Sequence, residues 1–186
     1  MSELIDEIRE KLLVFNGETC WYVRYGVHPT LLLDFGKAIK LKSILFQEGD
    51  VDRFMYDGQY SIGVLCTWRL DDLDNVICSS DCTEEQIAEG VMPLVGETVV
   101  SIEIFPPVWD AVITFSSGKK LKIFCDHVQE PRTLNNWDFA VMETTYFFGK
   151  GRRMHKEERL ALLPDDPIDP ESLGLFHPKS NTTEKK

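Results

Sequence analysis

The chain is expected to fold as a mostly antiparallel α+β domain: a curved sheet or flattened barrel with an N-terminal helix, one short inserted helix and an extended C-terminal tail. Three observations predict this. Eight or nine short runs alternate apolar and polar residues, and turn residues separate most of them. Only two segments near the strand-rich region combine helical spacing with a start signal. Consecutive strand-like runs lie too close together for the crossover helices that a parallel sheet demands.

At the N-terminus, Leu4, Ile5, Ile8, Leu12 and Leu13 recur at helical spacing, Glu3, Asp6 and Glu7 sit near the positive end, and Ser2 can cap. This predicts a helix over 3–14, ended by Asn16-Gly17. Thr19 to Tyr25, rich in Trp, Tyr and Val, reads as the first strand. Pro29 breaks the chain before Leu31–Asp34, and Phe35–Leu45 alternates again with Lys37, Lys40 and Lys42 on one side. Gly58–Leu70 is the clearest half-buried strand, with Tyr60, Ile62, Val64, Cys66 and Trp68 on one face. An acidic turn and a return strand at Asn75–Ser79 follow.

Thr83-Glu84-Glu85-Gln86 is a capping box, because Thr83 and Gln86 can satisfy each other's free amides; it predicts a helix from Glu84 to about Glu89, stopped by Gly90. Thr98–Phe105 reads as a strand, Pro106-Pro107 as a turn, and Ala111–Phe115 and Leu121–Cys125 as a hairpin about Ser116-Ser117-Gly118-Lys119. Trp137–Met142 and Thr145–Phe148 supply a last pair of strands. Beyond Gly149 the composition changes, so a single domain is expected over 1–151. Residues 152–186 are expected to hold a short helix over Lys156–Leu163 and a Pro-rich arm or disordered tail with Leu173, Leu175 and Phe176 as a docking spot.

The 186 residues carry a formal net charge of -11, which makes a broad phosphate-neutralising face improbable and argues against direct nucleic-acid binding. The excess is local. Residues 152–186 are balanced, whereas residues 48–89 hold 11 acids (Glu48, Asp50, Asp52, Asp57, Asp71, Asp72, Asp74, Asp81, Glu84, Glu85 and Glu89) against Arg53 and Arg69. Asp71 to Glu89 contains seven acids and no base. Such density raises self-repulsion unless solvent or a cationic partner absorbs it. A solvated face that aids solubility is one reading; a landing surface for a basic protein is the sharper one. Trp68, beside Arg69 at the mouth of the acidic turn, and Trp109, after Pro106-Pro107-Val108, are the two tryptophans expected to be partly exposed, as anchors of such a surface.

The N-terminal MSELIDEIREKLLVF lacks the basic start and apolar run of a secretory signal, and no window is apolar enough to span a membrane, so a cytoplasmic protein is expected. Five cysteines at irregular spacing read as reduced core thiols. Cys78, Cys82, Cys125 and His127 have the donor chemistry for zinc, but a strand and a hairpin separate them, so no metal or cofactor is expected. Cys125 and His127 share a face of an extended chain without a recognisable oxyanion hole, and Asp71, Asp72 and Asp74 lack the ligand series of a calcium loop. G-x-G-x-x-G, P-loop, G-x-S-x-G and H-E-x-x-H motifs are all missing, and no catalytic residue is assigned.

The runs SIGVLCTWRLDD, VICSSDC, LVGETVVSIEIFPPVWDAVITFSSGKKLKIFCD and NWDF form a W-R-L strand, an L-x-G-x-x-V strand, a D-x-x-x-x-F hairpin with its return, and a late N-W. Over residues 58–148 this pattern resembles the small acidic bacterial immunity proteins that accompany polymorphic toxins. The N-terminal strand pair and the tail after Gly149 depart from it. The resemblance implies a non-catalytic inhibitor that plugs a toxin's active site or blocks an exosite, with a basic nuclease as a typical partner. Partner contacts are then expected from Trp68, Asp71, Asp72, Asp74, Asp81, Glu84, Glu85 and Trp109. The alternatives are an assembly subunit whose arm from Leu160 to Phe176 wraps a neighbour, and an enzyme or ligand binder that uses a barrel interior.

Overall fold

The structure is a computed structural model that describes residues 2–26, 29–40, 56–126, 135–149, 154–159 and 167–174. Among the described residues two α-helices, α1 (Ser2–Leu12) and α2 (Glu84–Val91), accompany eleven strands. These are β1 (Cys20–Tyr25), β2 (Leu31–Lys40), β3 (Tyr56–Val64), β4 (Thr67–Asp71), β5 (Val76–Ser79), β6 (Val99–Phe105), β7 (Asp110–Phe115), β8 (Lys120–Phe124), β9 (Trp137–Val141), β10 (Thr144–Phe148) and β11 (Met154–Glu158). They form a six-stranded sheet in the order β1-β2-β3-β9-β10-β11 and a five-stranded sheet in the order β5-β4-β8-β7-β6. Every pairing is antiparallel. The α+β expectation holds, with two sheets and no closed barrel among the described residues.

The expected strand Gly58–Leu70 is two strands in two sheets, joined through Leu65 and Cys66. Alternation runs unbroken through the crossover because both sheets turn the same residue parity inward. Ile62 and Val64 are buried on one sheet, and Trp68 and Leu70 on the other. Conversely, Leu31–Asp34 and Phe35–Leu45 merge over their described part into β2. Its pairing with β3 slips between Phe35 and Ala38, where Gly36 takes φ +67°. Residues 41–45 lie outside the described residues, as does the Ser2 side chain expected to cap α1.

One core lies between the sheets. Cross-strand partners stack along β9 and β10: Trp137 on Phe148 at 4.0 Å and Phe139 on Tyr146 at 4.8 Å between ring centroids. Helix α1 buries Ile8 and Leu12, and the turn after it buries Phe15 against Phe35, Tyr60 and Phe139. Glu7 accepts hydrogen bonds from Tyr146 Oη at 2.9 Å and Lys156 Nζ at 2.7 Å. Tyr146 and Lys156 lie on the face shared with Phe139, so α1 covers the inner face near β10 and β11.

The capping box at α2 forms as expected, with Thr83 Oγ1 accepting from Gln86 N and Gln86 Oε1 from Thr83 N. Gly90, however, does not stop the helix, which continues to Val91. A Cβ there would lie 2.3 Å from Cys78 Sγ, so this glycine permits close packing of α2 on β5. The helix expected over Lys156–Leu163 is absent from its described part: Met154–Glu158 is a strand, and 160–163 lie outside the described residues. The sheet thus continues past residue 151. Ile168 then exchanges two backbone hydrogen bonds with Ala38 of β2, both 2.8 Å, which docks part of the tail on its own chain.

Candidate functional site

The acidic segment is folded into parts with different duties. Asp71, expected at a binding surface, is buried in the outer ladder of the five-stranded sheet. It accepts from Arg69 Nε at 2.8 Å and Nη2 at 3.1 Å, and pairs with Lys122 Nζ at 2.7 Å. Burial opposes its ionisation, but the hydrogen bonds from Arg69 and Lys122 outweigh burial and hold its carboxyl below the usual range. Asp72 shapes the turn: its Oδ1 accepts from Asp74 N at 2.9 Å and Asn75 N at 2.7 Å, which also lowers its pKa. Lys120 and Lys122, distant in sequence, line the same cleft of about 320 Å³ as Asp71, Asp72 and Asp74. The stretch without a base is therefore partly neutralised in space.

Between these acids stands Leu73, 82% exposed at the tip of the β4–β5 turn, with exposed Val76 beyond it. The side chain of Leu73 borders Gly118 in the β7–β8 turn, so two hairpin tips meet there. A large apolar side chain held out by an Asx turn and flanked by Asp72 and Asp74 is the feature that sequence reading missed. Its signal was present: an apolar residue at the centre of D-D-L-D-N, where a turn favours polar residues.

The two tryptophans expected at the surface are core residues. Trp68 is 1% exposed, with Nε1 donating to Pro29 O at 2.7 Å, and Trp109 is 4% exposed. Trp109 takes φ +68°, and its carbonyl accepts from Trp137 Nε1 at 2.9 Å and Cys125 Sγ at 3.1 Å. Both rings anchor turns from within, because an indole buries more apolar area than a turn can expose without loss. Asp81, Glu84 and Glu85 are exposed, but Asp81 accepts from Ser79 Oγ, and the two glutamates occupy the first turn of α2 beside Tyr25. They lie at the far end of β5 from the Asp72–Asp74 turn. Four residues of strand span about 13 Å, more than a physiological screening length, so the acidic segment forms two patches and not one face.

A second cluster lies on the outer face of the six-stranded sheet, where Asp34 (β2), Asp57 (β3) and Asp138 (β9) surround Arg159. Asp34 is 3% exposed, accepts from Gly58 N at 3.0 Å and lies beside Asp57. Burial, then the charge of Asp57, raise Asp34 well above the carboxylate range. Burial likewise pushes Asp138 up to about 7, aided by Asp57 and opposed by Arg159. Arg159 pairs with Asp57, donates to Gly58 O at 3.0 Å and reaches Ser61 Oγ at 3.4 Å. The cluster can store protons near neutrality and tie the chain after β11 to β3. Acids inside apolar strands, as in LLLDF and WDF, were its only trace in the sequence.

Among the described residues no group of three or more His, Cys, Asp and Glu could hold a metal ion, and no helix is long and apolar enough to cross a membrane. Cys78 lies in β5 and Cys125 just past the end of β8, and His127 lies outside the described residues. No known protein family, curated protein or solved structure matches the chain.

Proposed function

We propose that this protein is a non-catalytic acidic binding module that neutralises a basic protein partner by direct contact, as immunity and antitoxin proteins do. The reading rests on Leu73, 82% exposed between Asp72 and Asp74. An exposed apolar anchor rimmed by carboxylates suits a basic surface with an apolar pocket: the leucine supplies burial, and the acids supply steering and selection. Glu84, Glu85 and Asp81 form a second acidic patch that adds long-range attraction. A basic toxin or nuclease is the partner class that this chemistry fits.

Asp71, Trp68 and Trp109 leave the contact set, because each is buried and serves the fold. The reading in which the C-terminal arm wraps a neighbour is weakened by the two bonds that Ile168 makes to Ala38 of its own chain. The test is affinity capture from the native host with wild type and with the triple variant Asp72→Lys, Leu73→Ser, Asp74→Lys. A basic protein retained by wild type and lost with the variant, at unchanged circular dichroism, is expected. Equal retention would remove the turn from the interface.

A further inference from the structure

We propose that Cys66 and Cys125 are a redox-active dithiol, which a small-molecule disulfide oxidises to an intramolecular disulfide that locks the crossover end of the two sheets. Thr67 of β4 and Phe124 of β8 are the last opposed pair of their ladder, and Cys66 and Cys125 are the next residues outward on the two chains. Opposed residues of an antiparallel pair have Cα atoms about 4.5 to 5.5 Å apart, inside the window that a disulfide spans. Each lies two positions from the inward-facing pair Trp68 and Ile123, so both side chains point to the core side, where the neighbouring Cys125 thiol raises the Cys66 pKa.

The surroundings hold this pair in place. Cys125 N donates to Asp110 Oδ1 at 2.8 Å, Thr67 Oγ1 donates to Asp126, and the Cys125 thiol donates to the Trp109 carbonyl at 3.1 Å. That carbonyl also accepts Trp137 Nε1, so it keeps a partner when Cys125 loses its hydrogen. Cys66 is fully buried and Cys125 is half-buried, which assigns the order of reaction. The Cys125 thiolate attacks one sulfur of the reagent, the reagent's S–S bond breaks, and one reagent thiolate leaves. Cys66 then attacks Cys125 Sγ, the mixed disulfide breaks, and the second reagent thiolate leaves. The protons of the two protein thiols end on the two released thiols, so the protein loses two hydrogens and the reagent disulfide is reduced. The neighbouring Cys125 thiol, then burial, keep Cys66 protonated, which makes the second step the slow one.

The remaining thiols are placed less well. Cys20 donates to Tyr22 O within its own strand, and Cys78 is packed against the backbone of Gly90. The test is incubation of the folded full chain with oxidised glutathione, followed by alkylation and peptide mapping. Expected is a mass loss of two hydrogens and a single cross-link joining the peptides of Cys66 and Cys125, with a higher thermal midpoint reversed by dithiothreitol. In Cys66→Ala a glutathione adduct should accumulate on Cys125. A stable adduct on Cys125 of the wild type, a cross-link between Cys78 and Cys82, or no oxidation while the chain stays folded would each overturn the proposal.

Discussion

Asp138 stands directly opposite Gly63 across the β3–β9 ladder, and a methyl group at position 63 would lie 3.0 Å from both carboxylate oxygens. The glycine makes room for a carboxyl that burial keeps protonated up to about pH 7. Gly63→Ala should displace Asp138 and cost about 1 to 3 kcal/mol in chemical denaturation.

The same carboxyl sets a pH dependence. Its pKa is about 7 in the folded chain against an ordinary 3.8, so the unfolded state releases the proton first as pH rises. Its stabilising contribution is full below about pH 4 and is lost as pH rises through 7. Asp138→Asn should flatten this fall and raise stability at pH 8 by roughly 2 to 4 kcal/mol, read by urea titration across the range. A wild-type profile that rises with pH from 4 to 7, with no effect of the variant, would contradict it.

Arg159 ties the end of β11 to β3 through Asp57 and the Gly58 carbonyl. Removing it leaves Asp57 beside Asp34 and Asp138 without their shared cation. Arg159→Met should lower stability by about 2 to 3 kcal/mol, less than for a fully buried pair because Asp57 is partly exposed. Asp57→Asn with Arg159→Met should cost less than the sum of the two single changes.

Gly90→Ala normally helps a helix by about 1 kcal/mol. Here the new Cβ meets Cys78 Sγ at 2.3 Å, so the substitution should destabilise by about 1 to 3 kcal/mol. Adding Cys78→Ala should recover part of that loss in a thermal melt, because it removes the obstructing sulfur.

Strand periodicity and turn chemistry were legible where they act locally. The Thr83 capping box, the Ser116–Lys119 hairpin and the β9–β10 pair all stand where the sequence places them. What escaped depended on distant partners. Alternation could not reveal that β3 and β4 belong to different sheets, since parity survives the crossover at Leu65-Cys66. Charge counting along the chain could not reveal that Lys122 neutralises Asp71 or that Arg159 reaches Asp57, because both cations come from parts of the chain remote in sequence. Trp68 and Trp109 were expected outside because their neighbours in sequence are turn residues, yet each side chain points into the core.

Asp71 and Asp74, on either side of the Asp72-Leu73 turn, separate folding from binding. Asp71 has a lowered pKa, so its contribution is present above the ordinary carboxylate range and is lost as pH falls through its folded value. Asp71→Asn should lower stability at pH 7, whereas Asp74→Asn, on the exposed turn, should change it by less than about 0.5 kcal/mol.

The central claim is that Leu73 and its flanking carboxylates form a protein-binding surface. Its most direct test is calorimetric titration of the captured basic partner into wild type and into Leu73→Ser, at two salt concentrations. Leu73→Ser should bind at least tenfold more weakly with an unchanged melting temperature, and wild-type affinity should fall as salt rises. Equal affinities for the two proteins, insensitive to salt, would contradict it.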